Sequence, residues 1–403
     1  MSVEAPATGS ARLAPASTWW IGLAIVLVAA NLRPAVVGVA PLLSEIQAAE
    51  GLSATAAGIL TALPVLCFGL VAPVAPPLAR RLGIERALLA ALVLLIIGFL
   101  VRSSGSLVAL FAGTVLLGSA IAVGNVLLPS LIKRDFAHRT GLMTGLYTMA
   151  IATGGALAAG VTMPIAHAAG LGWPGALASW GLFAVLALLC WLPHVRRAER
   201  PARTAGRRVG GLWRDPLAWQ VTIYMGLQSL GYFAITAWLP ALLVERGYDP
   251  VVAGWLLSLS TVAGIAGATL APVLATRWRR QRAVAVAITA IAAIGLLGLL
   301  APVGFELAAV IPLGFAQSAA LGLALTLVAV RAPDAAHAAQ LSGMAQSAGY
   351  VLAAAGPFVM GALRDLSGGW TVPLLLLVAL LAVQGTAGVL AGRDRQVRRS
   401  AVA

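Results

Sequence analysis

The chain has 403 residues, of which 60% are hydrophobic and only 10% are charged, and its formal net charge is +14. A soluble protein of this length carries about a quarter of its residues as charged side chains, so this composition excludes an ordinary water-soluble globule. The basic residues stand in short runs between apolar stretches. That distribution indicates a multi-pass membrane protein and argues against a nucleic-acid partner.

Twelve apolar stretches, called spans 1 to 12 in chain order, are candidates to cross a hydrocarbon layer of about 30 Å as helices. Pro302 and Glu306 alone separate span 9 from span 10. The sequence therefore predicts an all-α membrane protein of twelve transmembrane helices. The predicted spans are residues 19–43, 53–78, 86–101, 107–131, 141–166, 173–193, 216–243, 250–275, 283–303, 305–330, 340–363 and 370–391.

The two halves of the chain resemble each other. Residues 75–87 and 271–283 share seven of thirteen positions, and each segment closes the second span of its half. Such a duplication predicts two pseudo-symmetric six-helix bundles, as in secondary transporters. The predicted regions are a disordered cytoplasmic tail 1–18, an N-terminal bundle 19–193, a basic cytoplasmic linker 194–215, a C-terminal bundle 216–391 and a basic cytoplasmic tail 392–403.

The basic residues also predict the orientation of the chain. Of the 27 Lys and Arg residues, Arg33 lies within a span, and Arg102, Arg246 and Arg364 fall in loops on one side. The other 23 fall in segments on the opposite side. Because basic loops stay inside, both termini are predicted to be cytoplasmic, in a bacterial inner membrane.

Arg33 is the one charged residue predicted deep within the membrane. A guanidinium at this depth is costly unless it meets acceptors or water, so it should face a cavity. Pro34 follows it and removes the helical hydrogen bond to the carbonyl of Ala30. No intramembrane carboxylate is available as a partner, which favours a substrate-binding role. The alternative is a brace for neighbouring carbonyls.

Neutral polar residues at mid-depth concentrate in spans 1, 4, 7 and 10, whereas spans 3 and 9 have almost none and are predicted to face lipid. Together the polar residues predict a central wet cavity, although each one alone is better explained by a hydrogen bond between helices. The candidate substrate-binding residues beside Arg33 are Asn31, Asn125, Tyr147, Gln228, Tyr232, Gln317, Gln346 and Tyr350.

Five segments carry a resemblance to a known family. They are similar in order and spacing to the cyanate-porter and 2-nitroimidazole-transporter family of the major facilitator superfamily. The resemblance covers almost the whole chain and implies two six-helix bundles, alternating access and a small polar or anionic substrate. The segments are NLRPAVVGVAPLL (31–43), GNVLLPSLIKRDF (124–136), GLMTGLY (141–147), GLQSLGYFAITAWLP (226–240) and LSGMAQSAGYVLAAAGP (341–357).

The basic loop after span 2 is a candidate gate. Arg81, Gly83 and Arg86 fit the superfamily's loop pattern, but Pro76 and Arg80 stand where that pattern has a Gly and an Asp. Arg277 belongs to the corresponding loop of the second half.

The sequence thus favours a secondary transporter of a small, cyanate-like anion or a small polar heterocycle. A drug or toxic-metabolite exporter is the first alternative, and a non-transporting receptor or membrane-embedded enzyme is a remote one, since no catalytic cluster is evident. Glu45 is the candidate proton site, so protons are candidate coupling ions, but uniport and anion exchange stay open. No cofactor or metal is expected, and the protein is expected to act as a monomer in the lipid bilayer.

Overall fold

The computed structural model describes residues 15–195, 211–277 and 281–398. Within those ranges the chain forms twelve helical spans without a strand. Span 1 is broken into Pro15–Asn31, Pro34–Val37 and Val39–Glu50, and span 2 into Ala54–Val71 and Ala75–Leu82. Spans 3 to 12 are Ile84–Arg102, Leu107–Asp135, Thr140–Ala168, Gly172–Val195, Pro216–Glu245, Pro250–Arg277, Gln281–Leu300, Glu306–Arg331, Ala335–Ser367 and Thr371–Ala391.

The all-α fold predicted from the sequence is confirmed. Eleven of the spans are both long enough and apolar enough to cross a membrane. Span 11 has 33 residues but carries Gln346, Ser347 and Tyr350 in its middle, which makes it more polar. Spans 9 and 10, nearly continuous in sequence, are separate helices joined by residues 301–305.

The ends of the predicted regions lie close to the helix ends. The first helix begins at Pro15, within the predicted tail 1–18. Residues 196–210 of the predicted linker and the chain ends 1–14 and 399–403 lie outside the described residues. We call the end of the bundle that carries residues 195 and 211 the linker end, and the opposite end the far end.

The two halves contact each other where span 2 crosses span 11 and where span 5 crosses span 8. Gly58 and Gly254, which occupy equivalent places in the repeat, lie at the far end of these crossings. A β-carbon at Gly58 would be 2.5 Å from the carbonyl oxygen of Pro357, and one at Gly254 would be 2.6 Å from that of Ala159. The absence of a side chain lets the backbones of the two halves pack directly, so the far end is closed.

Candidate functional site

A cavity of about 620 Å³ lies between the two halves. Spans 1, 5, 7, 8, 10 and 11 line it, whereas spans 3 and 9, predicted to face lipid, contribute none of its lining residues. The cavity therefore lies in the place expected for a binding site shared by two bundles. Its polar lining consists of Arg33, Thr144, Thr148, Gln228, Ser229, Tyr232, Thr236, Ser260, Thr261, Thr269, Gln317, Ser318 and Tyr350.

The cavity opens toward the linker end. Its lining includes Gly141 and Leu142, in the first turn of span 5, and no heavy atom lies within 4 Å of a β-carbon placed at Gly141 or Gly145. At the far end of the same span, a β-carbon at Gly160 would be 3.4 Å from the Ser258 side chain of span 8. Spans 5 and 8 thus touch at the far end and separate toward the linker end.

Arg33 lies at the break in span 1. The first helix ends at Asn31, and Pro34 begins the next short helix, so the break falls where the sequence predicted a loosened helix. The carbonyl of Ala30, which Pro34 deprives of its helical donor, faces Gly154 of span 5. A β-carbon at Gly154 would overlap this carbonyl, so only glycine allows span 5 to pack against the break.

The Arg33 guanidinium faces aromatic rings and no acid. Its Cζ lies 5.4 Å from the ring centre of Tyr232 and 5.7 Å from that of Phe233, both distances at which a cation and a ring attract. Within the described residues no hydrogen bond or ion pair reaches this side chain, which is half-buried. Its forked donors therefore remain available for a ligand in the cavity.

Four aromatic side chains form a cluster beside Arg33, and both halves contribute to it. Phe68 of span 2 packs edge-on against Tyr350 of span 11 at 5.7 Å and lies 6.1 Å from Phe233. Tyr232 packs edge-on against Phe233 at 5.1 Å. Such edge-to-face pairs hold the rings in fixed orientations. The cluster offers aromatic surface next to the unpaired cation.

The structure brings four of the predicted residues together with Arg33 on the cavity wall. The Gln317 Nε2 donates to the carbonyl of Gly231 at 3.1 Å and links span 10 to span 7. The Gln228 Nε2 donates to the Ser229 hydroxyl at 2.5 Å. The four residues are Gln228, Tyr232, Gln317 and Tyr350.

The other predicted residues do not line the cavity. Asn31 is buried, and its Nδ2 donates to the carbonyls of Leu27 at 2.8 Å and Phe183 at 3.3 Å, so it ties span 1 to span 6. Asn125 is half-buried in span 4, and the Gln346 Nε2 bonds within its own helix. Tyr147 lies near Arg33 and Tyr350 but outside the lining residues.

Several lining residues gave no distinct signal in the sequence. Thr236, Ser260 and Thr261 add hydroxyl groups from spans 7 and 8, and span 8 was not among the spans predicted to be polar at mid-depth. The Thr261 hydroxyl donates to the carbonyl of Leu257 at 3.0 Å within its own helix. Because Ser and Thr can satisfy themselves in this way, they occur on any face of an apolar helix.

The candidate gate residues lie at the linker end, away from the cavity lining. Arg81, Arg86 and Arg277 are exposed, and Gly83 is buried at the turn into span 3. The ion pair at this turn joins two other residues, Glu85 of span 3 and Arg134 of span 4. The equivalent residues of the second half are Gln281 and Arg331. They are also hydrogen-bonded, with the Arg331 Nη2 donating to the Gln281 Oε1 at 2.9 Å.

Two further residues named in the sequence analysis, Glu45 and Arg102, lie at the far end. Glu45 lies 2.6 Å from the Nε2 of His167, and neither residue lines the cavity. Arg102, assigned to an external loop, is instead the last residue of span 3 and is fully buried.

Comparisons with known proteins agree with this architecture. The Major Facilitator Superfamily model matches residues 19–357 and 242–401. An uncharacterized transporter, YycB, from Bacillus subtilis (strain 168) is 45% identical over 95% of this chain and 96% of its own. The inward-open structure of the xylose transporter XylE from E. coli superimposes with a TM-score of 0.75 at 16% identity, covering 95% of this chain and 97% of that one, which supports the fold alone.

Two relatives from Escherichia coli (strain K12) have assigned transport functions. The 2-nitroimidazole transporter is 42% identical over 93% of this chain and 95% of its own length. The cyanate transport protein CynX is 32% identical over 90% of this chain and 95% of its own. These relatives are transporters and not enzymes. The chain therefore belongs to the major facilitator superfamily, within its cyanate and 2-nitroimidazole transporter family.

Proposed function

We propose that the protein is a secondary transporter of a small anion or a small polar heterocycle, and that Arg33 binds the electron-rich group of the substrate. The observation that carries the proposal is the unpaired Arg33 guanidinium on the wall of a cavity shared by both halves. Its planar fork of donors suits a carboxylate, a nitro group or another conjugated oxygen pair. The functions of the two Escherichia coli relatives, 2-nitroimidazole transport and cyanate transport, fit this chemistry.

The size and lining of the cavity favour a planar organic substrate over an inorganic ion alone. A volume of about 620 Å³ falls in the range of sites for small organic ligands. A three-atom anion would leave most of this space to water. Three rings of the aromatic cluster, Tyr232, Phe233 and Tyr350, lie on the cavity wall, where a planar body can pack against them, and Phe68 packs behind them.

Transport by alternating access is part of the proposal. The conformation described is open at the linker end and closed at the far end, where the glycine contacts at Gly58 and Gly254 join the halves. We propose that the halves rock about the Arg33 site, breaking these contacts as the linker end closes. One chain supplies the whole cavity, which supports a monomer as the working unit.

Counterflow in reconstituted vesicles tests the proposal. Vesicles loaded with unlabelled benzoate, cyanate or 2-nitroimidazole should accumulate the same labelled compound if it is a substrate. We expect Arg33→Gln to abolish this exchange and the matched control Arg364→Gln to retain it, since Arg364 lies at the far end and pairs with Glu245 at 3.0 Å. Equal exchange by wild type and Arg33→Gln would refute the role of Arg33.

For energy coupling we propose uniport or anion exchange. None of the lining residues is an Asp, Glu or His, so a buried proton relay has no carrier in the cavity. The Glu45–His167 pair is the alternative proton site, half-exposed at the far end. The test is whether a pH gradient across the vesicle membrane drives substrate accumulation. Accumulation by wild type that is lost in Glu45→Gln would contradict the proposal and favour proton coupling.

The basic loops support an orientation with the linker end in the cytoplasm of a bacterial inner membrane. The cavity would then be open to the cytoplasm in this conformation. A membrane-impermeant thiol reagent applied to intact cells should leave a cysteine at Arg139 unlabelled and label one at Val303, which lies in the exposed far-end loop. The reverse pattern would invert the orientation.

Export of a planar toxic compound is the second candidate function, and the aromatic cluster favours it. An exporter of this kind would bind neutral planar compounds as well as anions. Retained binding of a neutral N-methylated nitroimidazole by Arg33→Gln, with loss of benzoate binding, would support this alternative. Loss of both ligands would favour the Arg33-dependent carrier.

A further inference from the structure

A second arginine, Arg102, lies fully buried where span 3 ends. Its Nη1 donates a hydrogen bond of 2.7 Å to the backbone carbonyl of Ala35, while its Nε and Nη2 have no acceptor among the described residues. No acidic side chain within those residues forms an ion pair with it. A buried guanidinium without a counter-charge is costly, so its presence in an apolar span calls for a function.

The carbonyl that Arg102 holds belongs to the broken part of span 1. Ala35 is the second residue of the short helix Pro34–Val37, which directly follows Arg33. The carbonyl of Arg33 in turn accepts a hydrogen bond from the backbone N–H of Val37 at 2.9 Å. Arg33 and Ala35 are thus parts of one turn, and a force that fixes Ala35 also fixes the backbone of Arg33.

The support behind Arg102 is rigid. Its Cζ lies 5.3 Å from the ring centre of Phe99, one turn earlier in span 3. On the other side, Gly113 of span 4 packs so closely on the Arg102 backbone that a β-carbon there would overlap it. Spans 3 and 4 therefore hold Arg102 in place. A charged donor also makes a hydrogen bond roughly twice as strong as a neutral one.

We propose that Arg102 is a positioning residue for the anion site. It holds the short helix of span 1 and so sets the depth and direction from which Arg33 enters the cavity. The inference rests on the proposed function, in which Arg33 binds the substrate. Binding groups perform only when neighbouring residues hold them within about 0.5 Å of the productive geometry. The break at Pro34 removes the helical support that Arg33 would otherwise have, and Arg102 replaces it.

The test measures KM and the maximal rate of benzoate counterflow in vesicles containing wild type, Arg102→Met or Arg102→Lys. Methionine keeps an unbranched side chain without a donor, and lysine keeps the charge and a donor. We expect Arg102→Met to raise KM at least tenfold, which is the lower end of the ~10–100-fold loss of affinity that follows removal of a residue orienting a metal-binding side chain, a positioning role of the same kind. The maximal rate should stay within twofold of wild type, and Arg102→Lys should restore KM to within about threefold. Arg364→Met, at the same end of the bundle, is the matched control and should leave KM unchanged.

An unchanged KM in Arg102→Met would overturn the inference, whether or not the maximal rate falls. Should that variant not fold, Arg102→Gln takes its place with the same expectation, because its shorter amide does not extend to the Ala35 carbonyl. The proposed function fails separately if Arg33→Gln transports benzoate as wild type does. Loss of transport in Arg33→Gln with a normal KM in Arg102→Met would refute only the positioning role.

Discussion

Asp365 is the clearest contact that holds the far end closed. This residue of span 11 accepts hydrogen bonds from the backbone N–H groups of Ala54 at 3.0 Å and Thr55 at 2.7 Å, and from the Thr55 hydroxyl at 2.5 Å. It thereby caps the first turn of span 2, in the other half of the protein. These hydrogen bonds form only when the far end is closed. Asp365→Ala should therefore destabilise the closed conformation and shift the equilibrium toward far-end opening.

The size of the shift follows from the exposure of Asp365. A buried carboxylate with three donors would contribute more, but this side chain is exposed, so water replaces part of the interaction. Ser53 remains the N-cap of span 2, so the variant loses the added hydrogen bonds, worth about 1 kcal/mol in total for an exposed group, and a negative charge at a helix N-terminus, worth about 0.3–1 kcal/mol. The total of about 1–2 kcal/mol corresponds to a roughly 5–30-fold larger open population.

Alkylation of a far-end cysteine measures this population even when it is small. Ser258→Cys, in a background of Cys67→Ala and Cys190→Ala, places the thiol where span 8 meets span 5. The rate at which an impermeant maleimide alkylates this thiol should rise about 5–30-fold in Asp365→Ala. Asp249→Ala is the matched control, since Asp249 caps span 8 within its own half through the N–H of Val251 at 2.8 Å. An unchanged rate in Asp365→Ala, or an equal rise in Asp249→Ala, would show that Asp365 does not hold the far end closed.

Three further substitutions have distinct expected outcomes. Gly254→Val should abolish transport by a folded protein, because its side chain would overlap the Ala159 carbonyl and prevent far-end closure; near-normal counterflow would contradict this. Asn31→Ala should lower the free energy of unfolding by about 1 kcal/mol, since it loses the bond to Phe183, without changing ligand selectivity in a thermal-shift panel. Phe233→Leu should weaken benzoate binding by about 0.5–1.5 kcal/mol and leave nitrate binding unchanged in calorimetry; equal losses would exclude a ring-packing role.

The sequence predicts the depth of a residue in the membrane better than the direction in which it points. Gln228 and Asn125 are both polar and near mid-depth, but Gln228 lines the cavity and Asn125 does not. Counting residues along a span gives the depth because the rise per residue is fixed. Rotation of the helix about its axis depends on packing with other spans, which a single sequence does not contain.

Arg33 and Arg102 illustrate the same limit. Arg33 was identifiable because a charge within an apolar span must find water or a partner, and it lies on the cavity wall. Arg102 stands near the end of its span beside Ser103 and Ser104, a pattern typical of a loop. The Arg102 guanidinium is buried because span 1 packs against it and its Nη1 bonds to the Ala35 carbonyl, and the sequence does not show this contact.

The sequence repeat marks two of the glycines at which the halves contact each other. The pairs Ala57-Gly58 and Ala253-Gly254 occupy equivalent places in the two halves. The structure assigns both glycines to backbone contacts across the far end. Their partners, Pro357 and Ala159, could not be predicted, because the sequence of one span does not identify the span that crosses it.

If Arg33 binds the electron-rich group of the substrate, the thermal stability of the purified protein should depend on ligand through this one side chain. A ligand present at a hundred times its dissociation constant stabilises the folded state by about 2.7 kcal/mol. The midpoint of wild type should therefore rise with benzoate, cyanate or nitrate. We expect this rise to disappear in a folded Arg33→Gln variant and to remain in Arg364→Gln. An equal rise in wild type and Arg33→Gln would contradict this expectation.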